Sequence, residues 1–422
     1  MANVVLGIDI GTSGVRIVAT APDNSVRAMA TAAIMAPVQS FGGRILQDPA
    51  IWWNATVEAL ENLDLTGLNV RAVAIDGTSG TIVPVTDDGT PAGLASMYND
   101  VAEAADVALV ASAAPEETAA LGATSPLARA LPMKAYAAHI VHQADWIAGQ
   151  FSGRFDVSDE NNALKSGYDP ASRRWPEWIA KAGFDVTLFP KVVAAGTATG
   201  TIRADVAERF RLPKDVTIVA GTTDGCAAFL ASGAAEAGDG VTSLGTTLTL
   251  KLLSATPVFA PKYGIYSHRI GDQWLAGGAS NTGGGVLTKY FSKDDIARLT
   301  PLIDADAPTG LDYYPLPNPG ERFPINDPAF APRLEPRPAD DAMFFQAILE
   351  GIATVEALGY RRLAELGASK LVSIRTVGGG ASNPGWTRIR LKALGVAEKF
   401  PLSEHAAVGT ARLAWRGIGH AN

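Results

Sequence analysis

Two glycine-containing turns, each flanked by β-branched residues, constrain the fold of this chain more than any other feature. The first follows the apolar run 4–10 and precedes the run 15–19, a pattern that predicts a β-hairpin. Its tip is made of small residues: Gly11, Thr12, Ser13 and Gly14. Asp9 stands inside the first run. An acid beside a glycine-rich turn suits a phosphate with Mg²⁺, because backbone N–H groups can approach an anion there. An ordinary hairpin whose Asp caps the turn is the alternative.

The second turn opens the other half of the chain. The segment 242–250 again predicts a strand, a short turn and a strand, and the turn is Gly245, Thr246 and Thr247. Two phosphate-type hairpins, one in each half, imply a duplicated fold that closes on one nucleotide. This arrangement resembles the actin-like ATPase (ribonuclease H-like) fold of sugar kinases, heat-shock chaperones and actin. We therefore expect a two-domain α/β protein with a nucleotide cleft between the domains.

Length and composition agree with a globular protein that binds small molecules. A chain of 422 residues exceeds the usual size of one core, so we expect domains at 1–215 and 216–422. Its net charge of -8 and the lack of a Lys/Arg-rich block argue against nucleic-acid binding. One cysteine excludes an intrachain disulfide framework. Without an N-terminal leader or an apolar run long enough to span a bilayer, we expect a cytoplasmic protein that does not associate with membranes.

A second acid stands at a strand-to-helix junction. The apolar run 216–220 leads through Gly-Thr-Thr to Asp224, and a helix is expected over 225–232. An acid at such a position commonly caps the helix. In phosphoryl transfer, a carboxylate there can also orient the attacking hydroxyl. Both roles are open from the residues alone.

A candidate sugar loop follows the short apolar run 70–75. This run predicts a buried strand and ends in Asp-Gly-Thr-Ser-Gly, from Asp76 through Ser79 to Gly80. Ligands of α/β proteins are met at the carboxyl ends of strands, so the loop is a candidate sugar contact. A solvated turn is the alternative.

The pattern from 100 to 153 predicts helices, which would place His139 and His142 one turn apart. No acid or cysteine at matching spacing completes a metal site, so packing or surface histidines are favoured. Asn162 and Lys165 would share one helix face, where we expect solvent exposure.

A third glycine-rich loop follows a predicted strand at 370–377. The sequence Gly-Gly-Gly-Ala-Ser-Asn, residues 378–383, precedes a helix that starts at Pro384. Glycine allows a flat adenine to approach closely, with Ser382 and Asn383 as hydrogen-bonding groups. A Rossmann motif is disfavoured, because the glycines are consecutive and no acid follows at the required distance.

In this order the segments resemble the FGGY family of carbohydrate kinases over essentially the whole chain. They are LGIDIGTSGVR, QDPAIWW, AGTTDGCAAFLASG, SLGTTLTL, GGGASN and EHAAVGTARLA. Within the family, the short chain and the segment 142–170 are most similar to the xylulokinase-like D-ribulose kinases of plants and cyanobacteria. The sugar loop departs from the Gln-Met-His-Gly of typical xylulokinases. Tyr98 replaces the Trp of a Trp-Asn-Asp-like motif, and no Arg follows it. The Lys and Trp of the family's signature helix correspond to Arg129 and Pro132.

The resemblance implies a role for each motif. Asp224 would be the catalytic base and Asp9 the Mg²⁺ acid. The ATP contacts would be Gly11, Thr12, Ser13, Gly245, Thr246, Thr247, Gly379, Gly380 and Asn383. The sugar contacts would be Asp76, Ser79, Asp100 and Asp224.

The activity implied is ATP-dependent phosphorylation of a ketopentose, D-ribulose first and D-xylulose or another ketose or polyol second. An actin-like ATPase that works by assembly, or a non-catalytic sugar-binding regulator, is the rival. A homodimer is left open, because alanine-rich helices can be solvated or paired.

Overall fold

The computed structural model describes residues 1–39 and 42–420, which form two compact units. Unit 1 comprises 1–231, 268–271 and the chain from His405 onward. Unit 2 comprises 232–267 and 272–404. The boundary expected at 215/216 differs from this division. Residues 216–231 and the last helix belong to unit 1. Their strand is part of the main sheet of unit 1, and their two helices pack against that sheet.

Unit 1 contains the larger set of elements. Its strands are β1 (Ala2–Ile10), β2 (Gly14–Thr20), β3 (Val26–Ala33), β4 (Val38–Gln39), β5 (Ile45–Gln47), β6 (Leu68–Gly77), β7 (Ile82–Val85), β8 (Ala95–Ser96), β9 (His139–His142), β10 (Val157–Asp159), β11 (Lys191–Val193), β12 (Ala198–Thr201), β13 (Thr217–Thr223) and β16 (His268–Ile270). Its helices are α1 (Pro49–Glu61), α2 (Ala104–Ala113), α3 (Pro126–Ala130), α4 (Gln143–Ser152), α5 (Glu160–Ala163), α6 (Trp178–Lys181), α7 (Ala204–Arg209), α8 (Asp224–Ala231) and α13 (Ala406–Gly417).

The main sheet of unit 1 has the strand order β12-β13-β6-β1-β2-β3. β1 pairs antiparallel with β2, which confirms the first hairpin, and β2 pairs antiparallel with β3. β6 lies parallel to both β1 and β13. A second sheet has the order β4-β5-β8-β7-β9. The parallel strands β1, β6 and β13 therefore end at one edge of the main sheet, and the candidate residues follow these ends.

The main sheet is buried on both faces, which explains why β1 is a nearly continuous apolar run. Val4, Leu6 and Ile8 belong to the core that includes α1 and α4, whereas Val5 belongs to the core of α8 and α13. Gly7 faces α13, where an added Cβ would lie 1.9 Å from the carbonyl oxygen of Ala407. Only glycine allows the helix to approach the strand this closely.

Unit 2 contains β14 (Asp239–Leu244), β15 (Leu248–Ser254), β17 (Gln273–Ser280), β18 (Ser373–Val377) and β19 (Ala397–Glu398). Its helices are α9 (Gly284–Tyr290), α10 (Lys293–Leu299), α11 (Asp341–Glu365) and α12 (Pro384–Leu394). Within the unit, the strand order is β17-β15-β14-β18-β19. β14 pairs antiparallel with β15, as the second hairpin predicts, and parallel with β18.

α11 is the central helix of unit 2. Among the described residues, it alone has the length and apolar composition that could cross a membrane, which the sequence expectation missed. However, 72% of its most apolar window is buried inside the protein. Phe345, Ile348 and Ile352 have no exposed surface and belong to the core of unit 2. The apolar composition of α11 is therefore that of a core helix.

Two local expectations were wrong. His139 and His142 lie on strand β9, so they are not one helical turn apart. His142 is buried, and its Nδ1 lies 2.8 Å from Asp145 Oδ2, which makes it a packing histidine. Asn162 is 1% exposed instead of solvated, because its side chain donates to Asp159 Oδ2 at 2.6 Å.

Candidate active site

Three carboxylates lie close together where β1, β6 and β13 end. Asp9 of β1 and Asp76 of β6 are register partners on adjacent parallel strands. Thr222 of β13 is the register partner of Asp76 on its other side. Asp224 follows two residues later, at the first position of α8. The sheet therefore brings together three acids that are far apart in the sequence.

The environment of these acids is rich in negative charge. Burial raises the pKa of Asp9, and the charge of Asp224 raises it further, whereas Asp76, Arg16 and His405 oppose the rise. The nearest Arg16 nitrogen lies 3.8 Å from Asp9 Oδ2. Burial, followed by the charge of Asp9, raises the pKa of Asp76 well above its ordinary value. Unpaired carboxylates resist ionisation when they are desolvated together.

Asp76 is the most enclosed of the three acids. Its side chain has no exposed surface, and Oδ2 accepts a hydrogen bond from the hydroxyl of Thr410 on α13. Oδ1 has no hydrogen-bond donor among the described residues. The alternative of a solvated turn is therefore wrong for Asp76, which presents no exposed carboxylate to a sugar.

The glycine turn after β1 is closed by a hydrogen bond of 3.0 Å from the Gly11 amide to the Gly14 carbonyl. Thr12 and Ser13 are exposed at its tip, and the Ser13 carbonyl accepts from the amide of Ile34 at 3.0 Å. The hydroxyls of the predicted phosphate turn therefore face solvent on a fixed backbone.

The corresponding turn of unit 2 is supported by a second glycine run. The amide of Gly284 donates to the Gly245 carbonyl at 2.8 Å, and the amide of Gly285 donates to the Thr246 carbonyl at 3.0 Å. Gly283 has φ +145°, and an added Cβ would lie 2.6 Å from the carbonyl oxygen of Thr246. Thr246 and Thr247 remain exposed. The run 283–285 thus allows close backbone packing beneath the turn.

The predicted adenosine loop, residues 378–383, has free space beside some of its glycines and none beside others. An added Cβ at Gly379 would meet no atom within 4 Å, whereas one at Gly380 would lie 2.6 Å from the Trp386 ring. Asn383 is the N-cap of α12: its Oδ1 accepts from the Trp386 amide at 2.9 Å, and its Nδ2 donates to Thr300 Oγ1 at 3.3 Å. The Asn-Pro sequence therefore has a structural explanation in helix capping.

A buried network connects the two loop-bearing strands of unit 2. Glu356 of α11 accepts from Arg390 of α12 at 2.6 and 2.7 Å, and from Thr242 of β14 at 2.6 Å. Arg390 also donates to Thr376 of β18 at 2.8 Å. β14 runs into the turn at Gly245, and β18 runs into the loop 378–383. The network therefore fixes the strands from which both loops extend.

Asp100, the third predicted sugar acid, is also enclosed. Its carboxylate accepts from Arg44 Nε at 3.0 Å, from Arg44 Nη2 at 2.7 Å and from Ser96 Oγ at 2.6 Å. Burial alone would raise its pKa, but the hydrogen bonds from Arg44, Ser96 and the Ile45 amide hold the pKa below the ordinary value. Asp100 has no exposed surface, whereas Arg44 is 28% exposed. Asp100 therefore positions Arg44 instead of offering a free carboxylate.

Sequence reasoning missed Arg44, Gln143 and Thr410. Arg44 pairs with an acid 56 residues later, and Thr410 contacts an acid 334 residues earlier. Gln143, the first residue of α4, accepts from the Thr78 amide at 2.9 Å. The absence of an Arg directly after Asp100 was the one sequence signal that this acid pairs with an arginine from elsewhere in the chain.

The three carboxylates are compatible with a divalent cation. Among the residues in view, no set of three or more His, Cys, Asp or Glu side chains converges as a ready-made metal site. Mg²⁺, however, is usually held by one or two carboxylates together with water and substrate phosphates. Asp9 and Asp76 are register partners on adjacent strands, so a cation at this place would offset the charge of two neighbouring carboxylates.

Comparison with known proteins identifies relatives of this chain. Residues 240–418 match the C-terminal domain of the FGGY family of carbohydrate kinases. The chain is 22% identical to a xylulose kinase of Staphylococcus epidermidis, over 99% of this chain and 88% of the relative. It is 25% identical to the xylulose kinase of Escherichia coli, over 97% and 89%.

The crystal structure of xylulose kinase from Rhodospirillum rubrum superposes on the chain with a TM-score of 0.86. The two are 22% identical, and the match covers 99% of this chain and 90% of the other. This likeness shows the two-domain, actin-like α/β fold. Residues 240–418 therefore match a domain of the FGGY family, a class of phosphotransferases that act on sugar hydroxyl groups, and the chain is similar to xylulose kinases over nearly its whole length.

Proposed function

We propose that this chain transfers the terminal phosphoryl group of ATP to the terminal hydroxyl of a ketopentose, with Asp224 as the base. The observation that carries the proposal is the position of Asp224: it begins α8 directly after β13, beside Asp9 and Asp76. The Asp224 side chain is partly exposed, and its Oδ1 accepts from the Gly225 amide at 2.6 Å. This bond fixes the carboxylate while leaving Oδ2 for a hydroxyl.

Each group of residues would have one task. Mg-ATP supplies the phosphoryl group, and the metal offsets its charge. Asp9 would hold the cation, while the amides of Thr12 and Ser13 would bind phosphate oxygens on the turn that the Gly11 amide closes. In unit 2, Gly245, Thr246 and Thr247 would do the same, and Gly379 and Gly380 would line the adenosine. Asp224 would orient the sugar hydroxyl and accept its proton as the new bond forms.

The identity of the sugar has two candidates. Similarity of the segment 142–170 to D-ribulose kinases favours D-ribulose. The names of the relatives favour D-xylulose, since those from S. epidermidis and E. coli are xylulose kinases. The two sugars differ only in configuration at C3, so a few hydroxyl contacts decide between them.

The test is ADP release with Mg-ATP against D-ribulose, D-xylulose, L-ribulose, ribitol and glycerol. We expect one ketopentose to stimulate release most strongly. We expect Asp224→Asn to lose at least about 100-fold in kcat, because positioned general bases contribute about 10²–10⁴-fold. Asp215→Asn, an exposed acid of the same unit, is the matched control and should retain activity.

Two results would overturn the proposal. ATP hydrolysis that is independent of any sugar would favour an actin-like ATPase. Near-wild-type turnover by the Asp224→Asn variant would remove Asp224 from the mechanism while leaving the similarity to the FGGY family intact.

A further inference from the structure

A pocket with a volume of about 530 Å³ lies in unit 2, beside the C-terminal ends of α11 and α12. Small-molecule sites usually occupy about 300–1,000 Å³. Every residue that lines the pocket falls between positions 357 and 396, so the pocket belongs to one compact unit. Its apolar wall is formed by Ala357, Ala364, Leu371, Ala393, Leu394 and Val396.

Small side chains leave this space open between the two helices. Ala357 and Ala364 are seven residues apart on α11 and therefore share one face of the helix. Ala393 stands in the last turn of α12, whereas the large side chains of Trp386 and Ile389, nearer its start, belong to the core of unit 2. The leucine and valine side chains of the wall pack against that core but remain partly exposed. A concave apolar surface that is open to solvent often marks a ligand site.

The pocket is separate from the predicted adenosine loop. α12 begins at Pro384, directly after the loop 378–383, and ends at Leu394 in the wall of the pocket. The helix has 11 residues, so at a rise of about 1.5 Å per residue the loop and the pocket are about 15 Å apart. β18 starts two residues after Leu371 and leads away from the pocket to the same loop. A ligand in the pocket would therefore not occupy the predicted site of adenosine.

The unpaired charge at the pocket is positive. Among the described residues, the polar side chains that line it are those of Tyr360, Arg361, Glu365 and Lys370. The Tyr360 hydroxyl is hydrogen-bonded in the core, and Glu365 pairs with Arg362 at 3.3 Å. The exposed side chains of Arg361 and Lys370 have no hydrogen bond or ion pair within residues 1–39 and 42–420. The pocket thus combines an apolar wall with two cations that are available to a ligand.

We propose that this pocket binds a small amphipathic anion, with its apolar body against the alanine, leucine and valine wall and its charged group beside Arg361 and Lys370. Burial of the apolar body supplies most of the affinity, at about fourfold for each methylene group. An exposed ion pair adds less affinity but selects the sign of the charge. Neither ATP nor the sugar takes part, so this binding is independent of the proposed function.

Displacement of the fluorescent anion anilinonaphthalene sulfonate from the whole chain, without sugar, tests the chemistry of the ligand. We expect octanoate to displace it at a lower concentration than octanol or octylammonium, which carry the same tail with a neutral or a positive group. Octanoate should bind about 10- to 20-fold more tightly than hexanoate, because two more methylene groups are buried. Added Mg-ATP should leave the fluorescence unchanged. Displacement by Mg-ATP, or equal displacement by octanoate, octanol and octylammonium, would overturn the proposal.

Arg361→Gln and Lys370→Gln test the two cations. Each variant should weaken octanoate binding about 2- to 5-fold, the contribution of an exposed ion pair, and leave octanol binding unchanged. Both side chains are exposed, so the Tm should stay the same. Arg388→Gln is the matched control, because Arg388 is an exposed arginine of α12 that does not line the pocket. Unaltered octanoate affinity in the double variant Arg361→Gln, Lys370→Gln would overturn the proposal.

Ala364→Phe tests the pocket itself, because a phenyl ring at this position of the wall occupies the space that the ligand needs. We expect octanoate affinity to fall at least about 10-fold, while the Tm stays unchanged or rises as apolar space is filled. Thr354→Phe, at an exposed position of α11 outside the pocket, is the control. Octanoate binding that survives in Ala364→Phe, or that is absent from the wild-type chain, would overturn the proposal. Sugar phosphorylation by a chain that does not bind octanoate would keep the proposed function, and octanoate binding by a chain without kinase activity would keep this site.

Discussion

Arg390→Met is the substitution whose cost can be worked out most directly from the structure. Arg390 is 1% exposed and Glu356 has no exposed surface. The substitution keeps most of the side-chain volume but leaves the Glu356 carboxylate buried without a cation. Breaking one side of a buried ion pair costs about 3–5 kcal/mol. For a domain in the size range of unit 2, each kcal/mol lowers Tm by about 2–4 °C, so we expect a fall of about 6–20 °C.

The double variant Glu356→Met, Arg390→Met tests the physical reason. Replacement of both partners by apolar residues removes the unpaired charge, and such replacements are often close to neutral. Thr242 keeps its contact with the Tyr360 hydroxyl at 2.9 Å, but Thr376 loses the donor that Arg390 provided. We therefore expect a cost of about 1–2 kcal/mol, well below that of the single variant.

The assay must assign the change to unit 2, since a chain with two units need not unfold in one step. Calorimetry gives the Tm, and hydrogen exchange of α11 and α12 shows where protection is lost. Arg337→Met is the control, because Arg337 pairs with Asp341 at the surface, where such pairs contribute about 0–1 kcal/mol. A cost below about 1 kcal/mol for Arg390→Met, or a double variant as unstable as the single one, would refute the reasoning.

Two further predictions concern the acids of unit 1. Because the folded protein raises the pKa of Asp76 above its ordinary value of 3.8, the folded state binds its proton more tightly than the unfolded state, and this group makes the protein less stable as pH rises above that value. Asp76→Asn should therefore gain Tm relative to wild type as the pH rises above about 4 and gain none at lower pH; a gain that is constant with pH would contradict the assignment. Asp9→Asn should raise the Mg²⁺ concentration for half-maximal activity about 10-fold or more, and Mn²⁺ binding in the presence of ADP, followed by electron paramagnetic resonance, should weaken in parallel; unchanged Mn²⁺ binding would remove Asp9 from the metal site.

Much of the fold could be predicted because the decisive signals are local. The hairpins at Gly11 and Gly245 each follow from a few consecutive residues, and so does the start of α1 at Pro49. Asp48 caps its helix by accepting from the Ala50 amide at 2.9 Å, as the Asp-Pro sequence predicts. His142 was assigned to a helix because the flanking sequence has a helical pattern. It lies in a four-residue strand that forms by pairing with β7, and the local sequence does not reveal that pairing.

The candidate site was less predictable, because burial and long-range pairing decide the role of each acid. Asp76 and Asp100 look alike in sequence as polar residues after short strands. In the structure, Asp76 lies in a group of like charges, and Asp100 is neutralised by Arg44. Asn383 was assigned to adenosine from its motif, but its hydrogen bonds cap α12.

The position of α13 in unit 1 has a consequence for how the chain is made. The ribosome completes β1 first and α13 only after all of unit 2. Yet Gly7 of β1 packs against the Ala407 carbonyl, and Gly409 packs against the Ala227 carbonyl of α8. During synthesis, the surface of β1 that packs against α13 therefore stays exposed to solvent while nearly four hundred further residues are added. Unit 2 can complete its own core before α13 is made. Nascent chains that stall before α13 should expose apolar surface and depend on chaperones, and their rescue by α13 supplied as a separate peptide would measure how much of unit 1 depends on this last helix.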